Sequence, residues 1–332
     1  MVQIIHRKPP TDTQINRAIF KWRKTLMTDI HELATGLKFP EGPVALADGS
    51  VVLVELARST VTKVDRDGKV HVIATIKGGP NGSAIGPDGK LYVCNNGGCF
   101  AWVEADGLTI PMMVSDDYVG GSIDRVDLAT GEVEMLYNHA GDIKICAPND
   151  IVFDSTGGFW FTDHGRVRAR DQDRAGIFYA RSDGSEIHEA AFPMDFPNGI
   201  GLSADQNTLY VSETFSGRVW RFDLDGPGRP KPSSAPFPAH GGTLLYGTSD
   251  YTLLDSLAVD SAGNVCVASS SKGSILVVSP EGKLIDEVSF NSPLTTNICF
   301  GGPELRTAYV TLGGQGKLVS VDWPRPGLKL SF

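Results

Sequence analysis

The segment "FPNGIGLSADQNTLYVSE", residues 196–213, reads as two short apolar strands around a polar turn, with the amide Asn198 at the mouth of the first strand. The same pattern returns as "FPEGPVALADGSVVLVE", "GPNGSAIGPDGKLYVCNN", "APNDIVFDSTGGFWFTDH", "LLDSLAVDSAGNVCVASS" and "TTNICFGGPELRTAYVT". The polar residue at the strand mouth is, in chain order, Glu41, Asn81, Asn149, Asn198, Asp255 and Asn297, at intervals of 40, 68, 49, 57 and 42 residues. A four-stranded propeller blade takes about 40–45 residues, so the two shortest intervals are bare blades and the others carry insertions.

A second hairpin follows most of these units: "STVTKVDRDGKVHVIAT", "GSIDRVDLATGEVEMLY", "GIFYARSDGSEIHEAAF" and "GSILVVSPEGKLIDEVSF". Each alternates apolar and polar residues about a central turn, the signature of a half-buried hairpin. Two hairpins per repeat and six repeats predict an all-β, six-bladed propeller. Two blades read as incomplete. In the fourth, no strand is legible in the Pro-rich run 227–240 after "GRVWRFDLDG". The sixth has three strands before the chain ends, and "HELAT" (31–35), just ahead of the first repeat, matches the missing one. Pairing the two ends of the chain in one blade would close the ring and remove its open edges. The domain division is then an arm over 1–28 and a single propeller over 29–332. Within the arm, "TDTQINRAIFKWRKTLM" reads as a short helix capped by Thr11 or Thr13, with Ile15, Ile19 and Leu26 on one side. Such an arm packs on its own domain or joins a neighbouring subunit, which makes it the candidate homo-oligomer contact.

The formal charge of −9 argues against nucleic acid or an anionic membrane as partner. No apolar run reaches the length of a membrane span, and the N-terminus lacks the apolar core and cleavage site of a secretory signal. Of the five cysteines, Cys94, Cys99, Cys146, Cys266 and Cys299, the neighbouring Cys94 and Cys99 could pair or bind a metal; the preferred reading is buried thiols in a reducing compartment, so the expected location is cytoplasmic.

Propeller geometry gives the recurrent polar residue its meaning. The first strand of each blade lines the central channel, so residues at its start form one ring at one end of that channel. Two of the six are carboxylates, and no Lys or Arg stands among them. Carboxylates facing one another in a partly desolvated channel repel, and a cation is the economical counter-charge. Two carboxylates with several amide oxygens suit a hard ion, Ca²⁺ first, with Mg²⁺, Mn²⁺ or Zn²⁺ as the other candidates. The absence of His and Cys from the ring weakens the case for zinc. Chain direction predicts a wider tier above the ring at the ends of the second strands: Glu55, Asn96, His164, Glu213 and Ser269. The longest following loops, 97–121 and 164–176, are expected on the same face, as pocket rim and lid.

At these residues the sequence resembles the regucalcin/gluconolactonase family of six-bladed, calcium-dependent lactonases, over about residues 30–323. "FPEGP", "PND", "FPNGI" and "LDSLAVD" together carry the resemblance. It implies metal ligation by Glu41, Asn149, Asn198 and Asp255, with Asp255 also the general base. Many sugar-lactone members carry an Arg two positions before the third-blade Asn, where this chain has Ala147, and the fifth-blade "DG" is "DS" here, with Ser256.

The expected activity is metal-dependent hydrolysis of a sugar-acid lactone, gluconolactone-like, to its open hydroxy acid. Asn81, Asn96, His164 and Glu213 are the candidates for holding substrate hydroxyls. The alternatives are a phosphotriesterase or fluorophosphatase on the same metal, and a calcium-binding propeller without catalysis.

Overall fold

The computed structural model describes residues 29–112 and 115–332. The arm over 1–28, with its expected helix and subunit contact, lies outside the described residues. Six antiparallel sheets form the blades. Their inner strands are Pro40–Ala45, Pro80–Ile85, Pro148–Phe153, Pro197–Leu202, Leu254–Val259 and Thr295–Gly301. Each inner strand packs against those of the two neighbouring blades, and the sixth packs against the first, so the ring is closed. The closure is the one read from the sequence, one residue earlier than "HELAT". Ile30–Ala34 pairs with Lys317–Asp322 as the outer strand of blade 6.

The alternation of apolar residues builds one buried cluster at each blade–blade interface. Val52 and Val54 of blade 1 pack with Leu91 and Val93 of blade 2. Val51 and Leu53 turn the other way, against Tyr309 and Leu318 of blade 6. The turns between first and second strands repeat one device. Asp48, Asp154, Asp205 and Asp260 each accept the backbone N–H two residues on, at 2.9, 2.8, 3.1 and 2.9 Å. Aspartate closes such turns through its own side chain.

Insertions account for the long intervals. In blade 2 a hairpin, Ala101–Ala105 and Leu108–Met112, stands between the second and third strands. The fourth strand of blade 4 is Thr243–Gly247, paired with Arg218–Gly226 beyond the Pro-rich run. Its illegibility in sequence has a simple cause: the residues that make it lie past the prolines, which cannot donate to a ladder. All five cysteines are free thiols, Cys94 and Cys99 included. Among the described residues no helix is long and apolar enough to cross a membrane.

Candidate functional site

Every inner strand carries a register shift within its first residues, at or beside its ring residue, where one extra residue is accommodated. Such a bulge breaks the ladder locally and re-aims side chains. Hydroxyls of the second strands satisfy the displaced backbone and stitch blade to blade. Thr162 Oγ1 accepts from Asp150 N at 3.1 Å and donates to Asn198 O of the next blade at 2.6 Å. Ser212 Oγ does the same between Gly199 N, at 2.8 Å, and Asp255 O, at 2.7 Å. At Gly199 an added Cβ would lie 2.4 Å from Leu257 N, so the approach of adjacent inner strands requires glycine there.

The ring residues Glu41, Asn81, Asn149, Asn198 and Asn297 are buried, while Asp255 is partly open to the cup. Glu41 Oε2 accepts from Gly42 N and Asn297 Nδ2, both at 2.8 Å. Burial, with the Asp255 charge behind it, pushes the Glu41 carboxyl up to about 8. Burial pushes Asp255 up to about 6, against hydrogen bonds from Ser270, Asn198 and Ser256 that favour its charged form. A third acid, Asp150, follows Asn149 in the same bulge and is raised by burial to about 7. The Asp255 charge acts on both Glu41 and Asp150 and raises them further. Acids raised together by burial and by one another are what a site short of one positive charge looks like.

The donor set also fits a hard cation. Asn149 Oδ1 is buried without a hydrogen-bond partner. Asn198 Nδ2 donates to Thr214 Oγ1 at 3.1 Å, leaving Oδ1 with only a 3.4 Å bond from Ser256 Oγ. Among the described residues, no group of three or more His, Cys, Asp or Glu side chains could hold an ion by themselves. A cation here therefore depends on the amide oxygens.

The tier above the ring differs from the expected one by a single residue in three blades. Leu56, Asn96, His164, Thr214 and Ser270 occupy equivalent places, because each donates its N–H to the carbonyl two residues before the ring residue: Phe39, Gly79, Ala147, Phe196 and Leu253. Glu55 and Glu213 lie one position earlier, in the register of Asn95 and Asp163, and their carboxylates brace the blade. Glu213 accepts from Asp195 N at 2.8 Å and from Ser216 Oγ and Trp220 Nε1 at 2.7 Å. Asp163 takes Cys146 N and Ala147 N in the same way, at 2.6 and 2.8 Å. Glu213, expected as a substrate contact, is thus held by three hydrogen bonds within its own blade. Its place in the tier passes to Thr214, and that of Ser269 to Ser270, whose Oγ donates to Asp255 Oδ2. Aligning the repeats on the recurrent brace, rather than on the last polar residue, would have found both. Asp150, too, was legible as the acid of "PND".

Asn96 and His164 each leave one buried nitrogen unpartnered. Asn96 Oδ1 accepts Gly98 N at 3.0 Å, so Nδ2 is a free donor. His164 Nδ1 lies 2.7 Å from the Gly165 carbonyl, which can only accept, so Nε2 is the acceptor nitrogen. Burial lowers the imidazole to about 4 and keeps it neutral. The described parts of the loop 97–121, residues 97–112 and 115–121, rise on this face with loop 164–176, joined to it by Arg166, which donates to Ser115 O at 3.0 Å and lies 4.3 Å over the Tyr118 ring. Arg168 is tied to Asp171 and Asp173 of its own loop.

Residues 39–314 match the model of the SMP-30/Gluconolactonase/LRE-like region. A gluconolactonase of Zymomonas mobilis is 26% identical over 300 residues, covering 82% of this chain and 76% of that protein. Lactonase drp35 of Staphylococcus saprophyticus is 30% identical over 249 residues, 72% of this chain and 66% of its own length. A gluconolactonase from Xanthomonas campestris superposes with a TM-score of 0.70 at 23% identity, over 90% of each chain. The calcium-binding protein regucalcin from Agrobacterium tumefaciens gives 0.70 at 17%, over 91% of this chain and 98% of that one. With its six blades, its ring of two acids and four amides, and a family match over most of its length, this chain is a member of the SMP-30/gluconolactonase/LRE-like family.

Proposed function

We propose that the protein is a lactone hydrolase that works with one divalent cation, Ca²⁺ first, held by Glu41, Asn149, Asn198 and Asp255. The observation that carries the reading is the conjunction of an unpartnered Asn149 Oδ1 with buried acids short of positive charge, in a chain whose relatives are gluconolactonases and lactonases. When bound, the cation supplies Lewis-acid polarisation of the lactone carbonyl.

Asp255 is the proton acceptor for the attacking water. It is the ring carboxylate open to the cup, and Ser270 Oγ and Ser256 N hold its two oxygens in place. Raised by burial, it is a better base than an ordinary carboxylate once ionised. Asn96 Nδ2 donates to, and His164 Nε2 accepts from, the oxygens of the substrate, a pairing set by the neutral imidazole. Asn81 stands in the ring between them and Glu41 and completes the polar floor.

The test is a lactone panel read by acid release, with and without chelator, beside a phosphotriester panel. Lactone hydrolysis that chelation abolishes and Ca²⁺ restores supports the reading. Phosphotriester turnover without lactone turnover selects the phosphotriesterase alternative, and turnover of neither leaves a cation-binding propeller.

A further inference from the structure

Beside the ring, under the inserted hairpin of blade 2, lies a cavity of about 300 Å³. Leu56, Ala57, Phe100, Trp102 and Val119 give it an apolar side, Ser59, Lys77, Ser115 and Asp117 give it a polar one, and Asn96 also stands in the tier above the ring. Leu56 and Asn96 line the cavity and stand in the tier, so the cavity adjoins the cup. The hairpin is anchored as a roof: Thr109 N donates to Gly314 O of blade 6 at 2.8 Å, across blade 1.

The wall from this cavity to the ring is aromatic. Trp102 lies 5.0 Å from Phe39 and 6.2 Å from Phe100, Phe100 lies 5.7 Å from His164, and His164 stacks on Phe196 at 4.2 Å. Phe39 and Phe196 occupy the same position in blades 1 and 4, which stand opposite one another in a ring of six. Both are left-handed, at φ 54° and 56°. Bulky residues rarely adopt that conformation, and such strain gathers where a ligand is clamped. Asn96 Nδ2 and His164 Nε2 are the unpartnered buried side-chain nitrogens of the tier, and Arg166 Nε is another in the loop above it. The two tier nitrogens serve the oxygens of one lactone ring, and the aromatic side chains beside them offer apolar contact.

We propose that the hairpin-covered cavity is a side pocket that receives an apolar substituent carried by the lactone, with Trp102, Phe100 and Ala57 setting its depth. The proposal rests on the lactonase reading and adds the chemical class of substituent. A chain on the fifth carbon of a δ-lactone bound at the ring would be taken up by the aromatic side of this cavity, formed by Phe100 and Trp102. Each methylene buried there raises kcat/KM about fourfold until the pocket is full.

The experiment measures kcat/KM for δ-valerolactone, δ-hexalactone, δ-octalactone and δ-decalactone, with glucono-δ-lactone as the reference. The wild-type value is expected to climb along the series. Ala57→Phe, which fills the cavity, should flatten the climb, and Trp102→Ala, which removes the roof, should lower its slope. A wild-type series that stays flat or falls while lactones are hydrolysed overturns the side pocket and leaves the lactonase reading intact. A climb that neither variant alters places the apolar contact elsewhere and overturns it too. Failure to hydrolyse any member of the series or glucono-δ-lactone sinks the lactonase reading and the pocket with it. Because the wild-type series needs no variant, misfolding of either one does not spare the proposal.

Discussion

Replacing Glu41 by Gln removes a buried charge while keeping an oxygen for Gly42 N and Asn297 Nδ2, both of which now bond one Glu41 oxygen. The Glu41 carboxyl stands at about 8 in the folded chain against an ordinary 4.5. A raised carboxyl means that the folded state holds its proton more tightly than the unfolded state, so cation-free stability falls as pH rises from the ordinary value toward 8. Integrated across that window, the loss is about 1 kcal/mol at pH 5 and about 3 kcal/mol at pH 7. Glu41→Gln escapes it. Without cation, the variant should therefore be more stable than the wild type, by about 2 kcal/mol more at pH 7 than at pH 5, or roughly 3–5 °C in a chain of this size. Thermal unfolding of chelator-treated proteins at the two pH values reads this difference. Adding Ca²⁺ at pH 7 should then raise the wild type and leave the variant unmoved, because the charge that binds the ion is the charge that cost stability. A variant less stable than wild type by the same amount at both pH values would refute the reasoning, since Glu41 would then be a neutral hydrogen-bonding group.

Asp255→Asn keeps an oxygen for the ion but loses the base. With cation in excess, kcat should fall about 10²–10⁴-fold, whereas activity that returns in proportion to bound metal would make Asp255 a ligand only. Ser270→Ala frees one oxygen of Asp255 and should move the acid limb of the pH–rate profile upward, because a bond favouring the charged form is lost; an unchanged profile removes Ser270 from the site. Glu213→Gln should cost stability, about 1–3 kcal/mol by chemical denaturation, with substrate KM unchanged; a KM effect alone would return Glu213 to the substrate. Gly199→Ala drives a Cβ into the Leu257 backbone and should lower both melting temperature and cation affinity; a variant as stable as wild type would show that the inner strands can part.

The sequence alone determined the blade count, the closure by the N-terminal strand and the six ring positions, because all three follow from a repeat whose period and polarity are written in the residues. It also set the face on which the long loops rise, since chain direction through an antiparallel blade has only one outcome. Tertiary structure decided the register of the tier. Glu213 and Thr214 are both polar, both adjacent and both at a strand end, and only the hydrogen bond from Thr214 N to Phe196 O assigns one to the cup and the other to the brace. The third acid, Asp150, acquires its raised carboxyl from being buried beside Glu41 and Asp255, across more than a hundred residues of chain from each. The side pocket belongs to the fold as well. It exists because the hairpin of blade 2 reaches across blade 1 to Gly314, a contact between distant segments that no local pattern of apolar and polar residues encodes.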